Sequence, residues 1–571
     1  MKTPNPAIYQ AHYPYWPKRL PKRIEPPRTA LPHNLQVSAD RYGDKVALAF
    51  LGAEFTYNEV LDRVERLATW LQAQGVAAGD RVILCMQNCP QLVLAHYAIL
   101  RANAVVVPVN PMNKAIELTH YITDAQARVA ITTADLAGEM AAASNLVDNG
   151  AGLQHLLVTH FTDVFQPQSS GPHALPESWV SWLTTQHPLP TPQGGQVHAW
   201  ADAWSHERRP SPLTVTATDL AVLPYTSGTT GLPKGCIHLH RSLMHNAQAT
   251  AAWGNGTQQT VALCAVPMFH ITGMVSVMHA TIYMGGTLVI LPRWDRDLAA
   301  RLIEHHQVTH WTNIPTMVID LLGSPRFADY NLKSLVYIGG GGAAMPQAVA
   351  QRLLDLFGLT YAEGYGLTET AAPSHSNPTD HAKQQCLGIP FLSAECRVVN
   401  PTTLEPLGVG EVGEILIHGP MVFEGYWRNP EATAAAFVEI DGLKFFRSGD
   451  MGRIDEQGYY FITDRLKRMI NASGFKVWPA EVEALLFRHP AIQEACIIAA
   501  KDAYRGETVK AMVVLREGQQ GQVSEQDIID WSRANMAVYK APTQVEFMPA
   551  LPKSGSGKVM WRMLQEAEMA K

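Results

Sequence analysis

The sequence predicts an α/β protein with a large N-terminal domain, a small β-rich subdomain at its end and a separate small C-terminal unit. Three observations predict it. Between Thr56 and Val109, short apolar runs alternate with stretches of helical periodicity, and strand, helix and strand in that order require a parallel sheet. After about Pro390 the pattern changes to short strands separated by glycine turns (Cys396 to Val399, Gly413 to Ile417, Tyr459 to Ile462). Past Lys467 a second, shorter α/β pattern begins. With 571 residues the chain far exceeds what one ordinary core accommodates.

Composition narrows the function classes. Hydrophobic residues at 47% and charged residues at 17% suit a soluble globular enzyme. A net charge of −6 gives no electrostatic reason to expect nucleic acid. Seven scattered cysteines, with no pair at zinc-binding spacing, argue against a disulfide framework and for a reducing cytoplasm. The N-terminus lacks a signal-peptide pattern. Thr272 to Pro292 has the length of a membrane span, but His279 and the Gly285-Gly286 pair make it a helix, a turn and a buried strand.

Taken in order, residues 1–33 are rich in proline and carry Lys18, Arg19, Lys22, Arg23 and Arg28. They read as an arm packed on the body, or as a basic patch that touches anionic headgroups. Thr56 and Glu59 form a capping box ahead of Val60, Leu61, Val64, Leu67, Ala68 and Leu71, and Gly75 ends that helix. Val82 to Met86 is a strand, Gln91 to Arg101 a helix and Ala104 to Val109 a strand. Residues 160–212 lack periodicity and read as a loop-rich insertion. In the last unit the pattern gives helices over Ala480 to Phe487 and Glu525 to Asn535, with strands over Glu494 to Ala499, Val509 to Leu515 and Gln544 to Phe547.

Chemistry concentrates in Tyr225-Thr-Ser-Gly-Thr-Thr-Gly-Leu-Pro-Lys-Gly235, which follows the apolar run Leu220 to Leu223. Its three glycines let the backbone approach an anion, Thr226, Ser227, Thr229 and Thr230 supply hydroxyls, and Lys234 supplies a cation. The residues from Ile237 to Asn246 read as a helix start. This is a phosphate cradle, yet Gly231 is followed by Leu-Pro-Lys-Gly, so the P-loop pattern of motor-type NTPases fails. Further strings follow along the chain. Pro267-Met-Phe-His270 precedes an apolar segment, and Gly339-Gly-Gly-Gly-Ala-Ala-Met-Pro346 follows the run Leu335 to Ile338. Tyr365-Gly-Leu-Thr-Glu-Thr370 follows a strand end at Leu359 and Thr360, and joins an aromatic face, a hydroxyl and a carboxylate suited to a hard cation. Phe446-Arg-Ser-Gly-Asp450, Asp464-Arg-Leu-Lys467, Asn471 to Glu481 and Pro552-Lys-Ser-Gly-Ser-Gly-Lys558 complete the series.

In this order, and over nearly the whole chain, the strings resemble the adenylate-forming superfamily of acyl-CoA synthetases, firefly-type luciferases and peptide-synthetase adenylation domains. The overall layout is most similar to bacterial medium- and long-chain fatty acyl-CoA synthetases. The resemblance implies an arm (1–33), an N-terminal AMP-binding domain of stacked α/β sheets with a β-barrel-like subdomain (34–463), and a mobile α+β lid (464–571) hinged near 464–467. It implies ATP, Mg²⁺ and coenzyme A as cofactor and co-substrates, a small carboxylic acid as substrate, and a role in fatty acid metabolism. A homodimer and weak peripheral membrane contact are left open.

The resemblance also implies site residues. Thr226, Ser227, Gly228, Thr229, Thr230, Gly231 and Lys234 would grip the leaving pyrophosphate. Gly341, Gly342, Ala343, Glu363, Gly364, Tyr365 and Gly366 would surround adenine, with the Tyr365 ring stacked on it. Thr368 would touch the α-phosphate and Glu369 would hold Mg²⁺. Asp450 would accept from both ribose hydroxyls, a task suited to the two oxygens of a carboxylate. Ile462, Arg465, Lys467 and Gly474 would serve the nucleotide, the hinge and the path of the thiol. Phe269, His270, Met274, Met278, Gly340, Gly341 and Gly366 would line the acyl pocket. Lys558 would reach in from the lid, and with Glu369, Thr226 and His270 make up the catalytic set. Alternatives are an aryl, short or branched acid as substrate, acyl loading of a carrier protein, or a luciferase-like oxygenase.

Overall fold

A computed structural model describes residues 6–226, 232–465, 468–472, 475–477, 479–502, 506–536, 540–554 and 559–570. The chain divides into two compact units, His12–Glu395 with Ile417–Phe446, and Met1–Ala11 with Cys396–Leu416 and Arg447–Lys571.

The larger unit holds two sheets. One has seven strands in the order His238–Leu239, Leu220–Val222, Val105–Pro108, Arg81–Cys85, Val129–Thr133, His155–Thr159 and Gln196–Ala199, parallel apart from the first. The other has nine, in the order Ile389–Pro390, Ala372–Ser376, Ala362–Leu367, Tyr337–Gly340, His310–Asn313, Val261–Cys264, Thr287–Ile290, Val46–Phe50 and Ala53–Thr56. Its interior is parallel and its two ends antiparallel.

Alternation along the strands shows why both faces are buried. Val82 and Leu84 join a core that includes the nine-stranded sheet, whereas Ile83 and Cys85 join a second core on the opposite face. The helix Pro90–Arg101 is buried from Pro90 to Leu100, as expected of a helix covered all round. Beside it lies Tyr57–Ala73, whose N-terminus carries the predicted capping box: Glu59 donates its N–H to Thr56, and its side chain accepts from the Thr56 N–H. No described helix is long and apolar enough to cross a membrane. All seven cysteines are buried, and none is in a disulfide.

One expectation changes here, and the arm follows the first of its two readings. The segment 160–212 is not merely loop: it carries the helix Glu177–Thr184 and the strand Gln196–Ala199, which adds an edge to the seven-stranded sheet. Few of its residues face a core, so periodicity was too short to register. The basic arm, from His12 onward, packs on the body. Trp16 sits edge-to-face on Trp253 at 5.4 Å, Arg19 donates to the Trp253 carbonyl at 2.6 Å, and Arg23 pairs with Glu395.

In the smaller unit, Ile492–Asp502 and Gly506–Leu515 form a long antiparallel pair that Ile470–Ala472, Phe475–Val477 and Gln544–Phe547 extend. Its faces bury separate clusters, Ile497, Val509 and Val513 on one side and Cys496, Ile498, Met512 and Leu564 on the other. The helices Pro479–Leu486 and Glu525–Asn535 lie within a residue of their predicted bounds.

Candidate active site

The phosphate-cradle string begins as a hairpin. Tyr225–Thr226 pairs antiparallel with Lys234–Gly235, and Ser227, Gly228, Thr229, Thr230 and Gly231 between them lie outside the described residues. The hairpin stem is held at both ends. Tyr225 donates its hydroxyl to Asp124 at 2.6 Å and packs edge-to-face on Tyr121. His120 bonds the Pro233 carbonyl at 2.7 Å. A Cβ on Gly235 would meet Leu223 at 3.0 Å and Trp427 at 3.2 Å, which explains glycine there. The chain then makes the strand His238–Leu239 before its helix begins at His240, so the predicted helix start at Ile237 is early by three residues.

The second string lies on a strand and a tight turn. Ala362–Leu367 carries Glu363, Gly364, Tyr365 and Gly366, so the strand runs into the string and does not end at Thr360 as expected. The turn Thr368–Thr370 reverses the chain into Ala372–Ser376. Ala371 and Ala372 stand at φ +50° and +81°, a left-handed pair that side chains resist. Buried groups compensate. Asn246 donates to the carbonyls of Thr370, Ala371 and Pro373 at 2.9–3.1 Å. His238 donates from Nε2 to the Thr368 carbonyl at 2.7 Å, and its burial lowers its pKa to about 4. The turn thereby buries Glu369.

Glu369 accepts a 2.9 Å hydrogen bond on Oε1 from the Tyr426 hydroxyl. Burial first, then the Glu369 charge, pushes the Tyr426 phenol up, so it remains a donor. The Lys234 ammonium stands 5.2 Å over the Tyr426 ring. The segment that carries Tyr426 is sewn to the hairpin stem, since Ile237 and Gly425 as well as Trp427 and Gly235 share backbone hydrogen bonds. One tyrosine thus joins the cradle's lysine to the predicted metal ligand.

The glycine-rich string leaves Tyr337–Gly340. Its glycines meet a backbone demand. A Cβ on Gly340 would lie 1.8 Å from the Asn313 carbonyl oxygen, and one on Gly341 2.3 Å from that of Gly364. Gly342 has φ +87° and is followed by Ala343. Glu363 is buried beneath, accepts from the Gln385 N–H at 2.8 Å, and is pushed by burial to about 7.

Phe269 and His270 are half-buried and lead into a π-helix, Thr272–His279, continued by the α-helix Ala280–Met284. Asn88 fixes this approach: its Oδ1 accepts from the Met268 N–H and its amide donates to the Val266 carbonyl. Met274 and Met278 are fully buried in the core. A small cavity of about 30 Å³ lies against the same helix, and its wall is Ser276, Val277, Ala280 and Met284 together with Thr250 and Tyr337 among others. The predicted pocket residues Phe269, His270, Met274, Met278, Gly340, Gly341 and Gly366 are not on that wall.

In the smaller unit, Asp450 is buried on the strand Leu443–Ile454, opposite Arg465 of Tyr460–Arg465. Arg447 forks onto one oxygen of buried Glu414 at 2.6 and 3.1 Å, and the other oxygen of Glu414 accepts from the Gly449 N–H. Ser448 donates to the Ile415 carbonyl and accepts from the Asp450 N–H. Ile462 is exposed. Lys467, Gly474 and Lys558 lie outside the described residues.

A family profile described as "AMP-binding enzyme" matches residues 35–427, and one for the AMP-binding enzyme C-terminal domain matches residues 481–558. The chain belongs to the AMP-binding enzyme family. Relatives span it nearly end to end. A long-chain-fatty-acid–CoA ligase of Bacillus subtilis is 35% identical, over 97% of each chain. A feruloyl-CoA synthase of an Amycolatopsis species is 33% identical, over 95% of this chain and 96% of its own. Among solved structures, ATP-bound MatB from Rhodopseudomonas palustris covers 95% of this chain and 99% of its own, with a TM-score of 0.78 at 27% identity. This AMP-binding enzyme is an ATP-dependent, AMP-forming acid–thiol ligase, with ATP, CoA and a carboxylic acid as its substrates. Its fold is the mixed α/β fold of adenylate-forming enzymes, with a large N-terminal and a small C-terminal domain.

Sequence reasoning about this AMP-binding enzyme missed Tyr426, Asn246, His238, Arg447 and Glu414. Only Arg447 lay inside a quoted string. The signal for Tyr426 was the aromatic run Phe423-Glu-Gly-Tyr-Trp427, which no spacing rule singled out.

Proposed function

We propose that this ligase activates medium- or long-chain fatty acids in the cytoplasm. The observation that carries the reading is the likeness, over nearly the whole chain, to ligases named for long-chain fatty acids such as that of Bacillus subtilis. The small cavity beside the π-helix, with Ala251, Ala262, Leu263, Val277 and Ala280 on its wall, has an apolar lining that suits the same substrate. An aryl acid is the second reading. The hydroxyls of Thr250 and Ser276 face this cavity buried and without a hydrogen-bond partner, and a ring hydroxyl could satisfy them.

In the first step a carboxylate oxygen of the acid attacks the α-phosphorus of ATP, the bond to the bridging oxygen breaks, and pyrophosphate leaves. The hairpin of Thr226 to Lys234 is the pyrophosphate grip, and Lys558 offsets charge gathering on the phosphates. The Tyr365 ring stacks on adenine, and Asp450 takes the ribose hydroxyls. His270 stands beside the reacting carboxylate. In the second step the thiolate of CoA attacks the acyl carbon and the bond to AMP breaks, with the lid turned about 464–467.

Mg²⁺ suits the residues present. Glu369 offers a hard carboxylate whose orientation Tyr426 fixes, and one or two protein carboxylates plus substrate phosphates are the usual Mg²⁺ set. When bound, the ion would neutralise phosphate charge.

A pyrophosphate-release assay over acids of graded chain length and over hydroxylated aryl acids, with and without CoA, tests the reading. Turnover that rises with alkyl length supports it. Turnover confined to aryl acids overturns it in favour of the second.

A further inference from the structure

Three histidines converge away from the nucleotide-binding strings. His173 belongs to the 160–212 segment, and His305 and His306 close the helix Arg296–His306. One ring nitrogen of each lies within 4.8 Å of the other two. The rings meet edge-to-face, His173 to His305 at 4.7 Å and His305 to His306 at 4.8 Å. His173 is buried, His306 half-buried and His305 exposed. Nδ1 of His173 and Nε2 of His306 are buried with no hydrogen-bond partner. Buried polar atoms are seldom left so without a ligand to receive them.

We propose that His173, His305 and His306 bind one divalent cation of the zinc class, which clips the 160–212 segment to the end of this helix. Imidazole suits Zn²⁺, Cu²⁺ and Ni²⁺, and three protein ligands with a solvent-facing fourth position is an established zinc arrangement. Tetrahedral coordination at about 2.0–2.1 Å needs the nitrogens about 3.4 Å apart, a closure of up to about 1.4 Å from the 4.8 Å within which they lie, shared among small rotations of the three side chains.

The surroundings hold the ligands ready. Arg301 donates to the carbonyls on either side of His173, those of Pro172 and Ala174, at 3.3 and 2.8 Å. Leu298, Leu302 and Ile303 bury the inner face of the helix and so fix its end. The last-turn carbonyls favour a cation there. The Arg301 charge opposes one. Burial first, then His305 and Arg301, lowers the pKa of His173, and burial with the neighbouring histidines brings His306 to about 4. Both rings therefore keep a lone pair for a metal near neutral pH.

The test uses the full-length chain, stripped with chelator and titrated with ZnCl₂ by calorimetry, and with Co²⁺ for visible d–d bands. His173→Phe/His306→Phe keeps ring volume and removes two ligands, and His305→Ala removes one without disturbing packing. The wild type should bind one more equivalent of Zn²⁺ than the double variant, show Co²⁺ bands the variant lacks, and gain a Zn²⁺-dependent rise in Tm. His305→Ala should weaken this site by at least the roughly tenfold that loss of a supporting residue costs. Zn²⁺ should also slow proteolysis within 160–212 in the wild type alone. Unchanged pyrophosphate release in the double variant confirms that it folds. Equal stoichiometry and equal Tm shifts in wild type and double variant would overturn the site. Zn²⁺ binding that leaves proteolysis unaltered would overturn the clip.

Discussion

The Tyr426 hydroxyl donates to Glu369 Oε1 at 2.9 Å while the Lys234 ammonium lies over the same tyrosine's ring. The phosphate hairpin and the acidic turn are therefore coupled through one side chain. Tyr426→Phe keeps the ring and its packing on Phe423 and removes only the donor. Pyrophosphate release should then require about tenfold more Mg²⁺ for half-maximal rate, since an unsteered carboxylate pre-organises less of the site. Glu369→Gln should cost about a hundredfold or more in rate at any Mg²⁺ concentration. An unaltered Mg²⁺ titration in Tyr426→Phe would separate the pair from metal binding.

The turn that carries Glu369 rests on Asn246. Asn246→Leu leaves three carbonyls without their donor in a buried place, and should lower stability by about 3 kcal/mol in urea unfolding. Ala372→Gly relieves the left-handed residue at φ +81° and should raise stability by about 1 kcal/mol, net of the added freedom of the unfolded chain. If Ala372→Gly is destabilising, the strain assigned to this turn is absent.

Around Asp450, Arg447 and Glu414 form a pair in which the carboxylate is almost wholly buried. Arg447→Met leaves that charge unpaired and should cost about 3–5 kcal/mol. Exchanging both, Arg447→Met with Glu414→Leu, should recover much of the loss in thermal unfolding, yet still weaken AMP binding because the Gly449 N–H loses its acceptor.

Several histidines are buried in neutral form. Burial lowers His240 and His245 to about 4 and His279 to about 3, from 6.5. A folded-state pKa below the unfolded value means that the unfolded chain binds more protons between the two. Stability is therefore complete above about pH 6.5 and falls as pH drops toward 4, by up to about 1.4 kcal/mol per pH unit for each such histidine. Urea midpoints measured across this range should decline steadily. His279→Gln should flatten the slope, even if it lowers stability at neutral pH.

Much of this architecture was legible from periodicity and caps. Thr56 with Glu59 marked a helix start to the residue, and the strands around Val82 and Val106 stood within a residue of their bounds. Elements with little buried face were not legible, such as Gln196–Ala199, an edge strand with no wholly buried residue. At the site, the strings singled out the backbone proposed to meet the substrates. They did not identify the groups that brace it, because Tyr426 and Asn246 reach the turn from far along the chain. The glycines at 340 and 341 were read as clearance for a ligand, whereas neighbouring carbonyl oxygens already exclude a Cβ.

The π-helix Thr272–His279 gives the cavity beside it a tuning mechanism that leaves the sheets untouched. A π turn amounts to one surplus residue wound into an α-helix. Deleting a single residue there would restore ordinary winding, leave the helix beyond it in place and re-aim side chains within 272–279 by up to about 100°, the angle between successive residues of an α-helix. Ser276 and Val277 would leave their places on the cavity wall together. A change of one codon could thus redraw the lining of the cavity all at once, where point substitutions would alter it one side chain at a time.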